Sequence, residues 1–117
     1  MSDEPIFDPN VLNEMLDLMG GDLEIVDDIA NTWLDEAPEL VAGTAEGDDA
    51  EAVRHHSHTL KSSSRSVGAM RLGALCEQIE HAARAGSLGP VDETRGLVND
   101  VYQQTRVSLA DWRANKA

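Results

Sequence analysis

The chain of 117 residues has a single cysteine, Cys76. No internal disulfide can form, which fits a reducing compartment. No run of about 18 apolar residues occurs, which argues against a transmembrane helix. The opening Met1-Ser2-Asp3-Glu4-Pro5 is acidic where a secretory signal would be basic and then apolar, so the expected address is cytoplasmic. Basic residues are missing from residues 1–53, which carry sixteen acids, whereas residues 54–117 hold nine bases against six acids. The net charge of −13 argues against nonspecific nucleic-acid binding and against attraction to anionic lipid. A glycine-rich phosphate loop, a nucleotide-binding fingerprint and a suggestive Ser-His-Asp arrangement are also absent, so direct use of ATP is not expected.

What remains is helical. The chain is 41% hydrophobic, enough for one modest core without metal or disulfide staples, and strand-like alternation is nowhere sustained. Asp8-Pro9 reads as an N-cap followed by proline in the first turn, with Leu12, Met15, Leu16 and Met19 recurring at helical spacing until Gly20-Gly21. Asp22 then caps a second helix with Val26, Ile29, Ala30, Trp33, Ala37, Leu40 and Val41 in one stripe, and Pro38 predicts a kink near Leu34. Asp48 with Glu51 resembles a capping box for a third helix that runs to Val67 and stops at Gly68. A fourth helix shows Leu72, Leu75, Cys76, Ile79 and Ala83 on one face. The segment Gly86-Ser87-Leu88-Gly89-Pro90 leads into a long last helix with Val91, Leu97, Val98, Val101, Thr105, Ser108, Leu109 and Trp112 on its expected buried side. Short connections predict an all-α, up-and-down antiparallel four-helix bundle with a short additional N-terminal helix. The whole of 1–117 reads as one domain, with residues 1–7 and 114–117 expected as flexible tails.

The third helix carries the chemistry. At 100° per residue, Val53, Ser57, Leu60, Ser64 and Val67 form a narrow stripe suited to the core. Arg54, His58, Lys61 and Arg65 cluster within about 60° of one another, expected nearly opposite that stripe and facing water. The basic stripe is either a solvated helix face or a site for an anion. Neutral histidine is a good nitrogen nucleophile near pH 7, and a phosphoryl group on His58 would come within reach of Lys61, one turn away.

These residues also carry a family resemblance. His58-Thr59-Leu60-Lys61-Ser62-Ser63-Ser64-Arg65-Ser66-Val67-Gly68 resembles the signature of histidine-containing phosphotransfer (HPt) domains. That signature reads His, any residue, an apolar residue, Lys, Gly, a Ser or Ala pair, three variable residues, then Gly. The resemblance extends to Leu34–Leu40 and Leu72–Glu80, and covers roughly residues 8–113. It implies that His58 accepts a phosphoryl group from the aspartate of one receiver domain and passes it to another, with Lys61 holding the phosphoryl oxygens. It places Glu80 beside the histidine, where a carboxylate could accept a hydrogen bond from Nδ1 and leave Nε2 as the nucleophile. Alternatively Glu80 is a surface acid paired with Arg84, four residues on.

Ser62 departs from the family glycine. Its hydroxyl could contact the phosphoryl group or bond back to the carbonyl of His58. Arg54, His55, Ser62, Arg65, and Met70 or Leu72 at the following turn, would form a small basic and apolar docking patch. His55, His56, His58, His81 and Cys76 supply metal-ligand types, but His56 and Cys76 are expected to point inward and Arg54 and Lys61 would repel a cation, so no metal site is expected.

The expected function is a phosphocarrier, not an enzyme in its own right. Its partners would be response-regulator receiver domains and a hybrid histidine kinase, with no cofactor here and Mg²⁺ in the partner's pocket. A monomer is the expected state. The alternative is a helical module that binds or inhibits a kinase or receiver without being phosphorylated; such a module would not need His58 with Lys61.

Overall fold

The computed structural model describes residues 3–116. Helix α1 (Pro9–Leu18) starts on Asp8, whose carboxylate accepts from the Asn10 N–H. Helix α2 (Leu23–Glu46) starts on Asp22 in the same way and runs unbroken through Pro38. Helix α3 (Ala50–Ser66) is capped by Asp49, not Asp48, because it is Asp49 that reaches the Ala52 N–H. Glu51, expected to close the capping box, instead pairs with Arg54. Helix α4 (Met70–Arg84) and, after a 3-10 turn at Gly89–Val91, helix α5 (Asp92–Lys116) complete the chain.

Paired contacts fix the directions of these helices. Along α2 and α3, Trp33 donates to Ser64 while Gly47 lies against Val53, so the two run antiparallel. Arg113 reaches Asp27 and Arg95 reaches the Gly47 carbonyl, which makes α5 antiparallel to α2. Contacts of α3 with α4 and of α4 with α5 close the ring of four, and α1 lies against α2. Trp112 Nε1 donates to Asn13 Oδ1 at 2.9 Å and so ties the end of α5 to α1.

The core follows the helical stripes. Val53, Ser57, Leu60, Ser64 and Val67 are all buried on α3, as are Leu72, Leu75, Cys76, Ile79 and Ala83 on α4. On α5 the buried set is Val98, Val101, Tyr102, Thr105, Leu109 and Trp112. Leu97, expected in that set, is half exposed, since it sits about 100° off the stripe begun by Val98. Tyr102 takes an inner place instead and meets Trp33 edge to face at 5.5 Å.

The segment before α1 is not a free tail. Pro5 and Glu4 accept from the Arg71 backbone N–H and Nε, Asp8 N–H donates to the Gly68 carbonyl, and Ile6 and Phe7 pack on the core. Met1 and Ser2 lie outside the described residues. Gly68, at φ 87°, makes this junction: a Cβ there would meet the Asp8 carbonyl oxygen at 2.5 Å. At the other end, 114–116 continue α5 as helix, with Lys116 over the Trp112 ring, and Ala117 lies outside the described residues.

Candidate functional site

The middle of α3 lies beside the second half of α4, where the two antiparallel helices bring His58 and Lys61 to Glu80. The basic stripe is not opposite the core. It lies on the flank facing α4, about 110° from the apolar stripe, so His58, Lys61 and Arg65 meet acids of the neighbouring helix while Arg54 pairs with Glu51 of its own.

Glu80 organises the site. Its side chain is only 6% exposed. Oε2 is 3.0 Å from His58 Nδ1 and 2.6 Å from an Arg84 guanidinium nitrogen. Oε1 is 2.6 Å from Lys61 Nζ, a charge contact that is its sole partner among the described residues. Both contacts expected of Glu80, with the imidazole and with Arg84, are therefore made, but Glu80 is buried and not the surface acid of the second reading. A carboxylate only accepts, so Nδ1 carries the proton, and in the neutral ring the lone pair is then on Nε2; the side chain is 54% exposed. Burial pushes the Glu80 carboxyl up, but its hydrogen bonds and charge contacts with Lys61 and His58 outweigh this and hold it below its ordinary value of 4.5.

Lys61 is 19% exposed and held on Glu80, beside the imidazole rather than free in solvent. Ser62 is exposed, and its hydroxyl does not bond back to the His58 carbonyl. Its neighbours do make such bonds: Thr59 to His55, Ser63 to Leu60 and Ser66 to Ser62. Ser62 is thus a serine of this face with its hydroxyl uncommitted among the described residues.

The expected docking residues do not form one uniform patch. His55 is exposed, Arg54 is held by Glu51, and Arg65 by Glu77 at 3.2 Å. Met70 is half-buried at the α3–α4 turn, ten residues along α4 from Glu80 and so about 15 Å along the axis from the site. Leu72 is fully buried and offers no surface to a partner. It lies on the apolar stripe with Leu75, Cys76 and Ile79, and its nearness to the turn in sequence concealed that inward direction.

Arg84 was assigned no role at the site by sequence reasoning, although its place four residues after Glu80 is the signal that could have found it. The histidines and Cys76 do not converge, and among the described residues no three His, Cys, Asp or Glu side chains are grouped to hold a metal. His56 bonds to its own helix at Ala52 and lies against Gly43 of α2. Burial pushes the Cys76 thiol up to about 12, leaving it an inert core group. No helix among the described residues is long and apolar enough to cross a membrane.

A search of curated proteins gave no match. Among solved structures, the chain is similar to histidine-containing phosphotransfer protein B (HptB) of Pseudomonas aeruginosa PAO1, with a TM-score of 0.82. Identity is 23%, over 95% of this chain and 96% of that one, a likeness of fold. The family model described as Hpt domain matches residues 11–108. The chain therefore belongs to the Hpt domain family, whose role is histidine phosphotransfer in two-component phosphorelays.

Proposed function

We propose that this protein is a phosphocarrier between receiver domains, with His58 Nε2 as the atom that accepts and returns the phosphoryl group. One observation carries the reading: an exposed imidazole whose Nδ1 is held by a buried carboxylate that also gathers Lys61 and Arg84. In the forward step the Nε2 lone pair attacks the phosphorus of an aspartyl phosphate. The P–N bond forms, the P–O bond to the acyl group breaks, and the aspartate leaves as carboxylate with the bonding electrons. The product ring carries both the Nδ1 proton and the phosphoryl group, so it is cationic, and the Glu80 carboxylate 3.0 Å away stabilises that charge. The incoming phosphoryl oxygens compete with Glu80 for the Lys61 ammonium. Return of the group to a second aspartate reverses the same steps.

The chain supplies nucleophile, orientation and countercharge, and we assign the Mg²⁺ of the in-line transfer to the partner's pocket, with no cofactor in this protein. Response-regulator receiver domains and a hybrid histidine kinase are the proposed partners, engaged by a monomer in the cytoplasm. Nucleic acid and membrane surfaces are not proposed, given the net charge of −13. The test is transfer of label from a phosphorylated receiver domain. Wild type is expected to take up acid-labile label and His58→Gln to take up none while keeping its helical content. Binding of receivers without any label would replace this reading with that of an unphosphorylated interaction module.

A further inference from the structure

Gly73 is buried inside α4, a position where alanine would make the better helix. The space above it is occupied. A Cβ at Gly73 would stand 2.8 Å from Cγ and 3.2 Å from Nε of Arg65, so the aliphatic stem of this α3 side chain lies on the bare backbone of α4. From that seat the guanidinium reaches Glu77 Oε2, one turn further along α4, at 3.2 Å through a single Nη2 contact. Arg65 remains 40% exposed, with the rest of its planar fork open. It stands seven residues, about 10 Å along the axis, from His58 on the same face.

We propose that Gly73 is a positioning residue for partner docking: it seats Arg65 flat across the α3–α4 seam so that the open edge of the guanidinium meets a carboxylate side chain of the docked receiver domain. The inference rests on the reading of the His58 face as the docking face. Charge supports the choice of an acidic contact, because the chain carries only nine bases against 22 acids and four of the bases, Arg54, Lys61, Arg65 and Arg84, line this seam. Glu77 keeps the guanidinium in place before docking, and an Arg–carboxylate pair is directional, so a shifted stem misaligns it. The helix accepts a weaker former at 73 because any side chain there moves Arg65.

The test compares wild type, Gly73→Ala, Arg65→Ala and the double variant. Each is phosphorylated by a receiver domain that labels the wild type and, separately, by the small molecule phosphoramidate, which needs no docking. The displaced atoms belong to a flexible side chain, so Gly73→Ala is expected to melt at or above the wild-type temperature and to react with phosphoramidate at the wild-type rate. With the receiver, KM is expected to rise about fivefold with kcat unchanged, the upper end for one exposed charge contact. Arg65→Ala should show the same rise, and the double variant should be no worse than Arg65→Ala. An unchanged KM in Gly73→Ala, or additive losses in the double variant, would overturn the proposal. If Gly73→Ala melts below wild type, Arg65→Ala decides alone, and an unchanged KM there overturns it equally. Labelling by phosphoramidate with an unchanged KM sinks only the role of Gly73, whereas failure of both donors to label His58 removes the phosphorelay reading and this inference with it.

Discussion

Replacing Glu80 by glutamine removes one charge from a three-way contact and keeps its shape. The bond to His58 and the ion pair to Lys61 lie at a side chain 6% exposed and contribute roughly 1 kcal/mol each; the Arg84 contact is open to water and adds a few tenths. Relief from burying a charge offsets part of the loss, so Glu80→Gln is expected to cost about 1–2 kcal/mol at neutral pH. For 117 residues the unfolding entropy makes this a fall in Tm of about 4–8 °C. The sign with pH follows from the lowered carboxyl. A group with a folded value below its unfolded 4.5 stabilises fully above that value, and its contribution fades as pH falls through the folded value. The gap between wild type and Glu80→Gln should therefore be full at pH 7 and shrink at an acid pH below the lowered folded value, where the wild-type carboxyl is itself protonated. Paired thermal or urea melts at both pH values measure it. Equal stability at pH 7, or a gap that persists in acid, would refute the role given to Glu80.

Lys61→Ala is expected to shorten the lifetime of the phosphohistidine several-fold, read as loss of label with time; an unchanged lifetime would leave Lys61 as a structural partner of Glu80 only. Ser62→Gly should preserve or raise the transfer rate, because the hydroxyl holds no internal bond, and a large loss would give that hydroxyl a direct phosphoryl contact. Leu72→Ala should lower stability by about 2–5 kcal/mol in a denaturant melt, as expected for a fully buried leucine. A stable Leu72→Ala variant with impaired docking would contradict the core position.

The helices were readable because their signals are local. Asp8 and Asp22 cap as expected, and the α3 stripe from Val53 to Val67 has the period of a helix with one buried side. The errors lie where a second element decides. Choosing Asp49 over Asp48 depends on which carboxylate reaches the Ala52 N–H, and the anchoring of residues 4–8 depends on the Glu4 and Pro5 carbonyls meeting Arg71 and the Asp8 N–H meeting the Gly68 carbonyl, some sixty residues away. Leu97 looked apolar enough for the core, but Tyr102 fills the inner position opposite Trp33. At the site, the spacing of His58 and Lys61 was visible from the chain alone. That Glu80 would serve His58, Lys61 and Arg84 together was not, since it requires the register of α4 against α3.

The central claim is that the phosphoryl group sits on Nε2 of His58 while Nδ1 stays protonated against Glu80. Long-range ¹H–¹⁵N and ³¹P NMR of the phosphorylated protein measures this directly. The account predicts phosphorus coupled to His58 Nε2 and a retained Nδ1 proton. Phosphorus on Nδ1, or on His55 or His56, would contradict it.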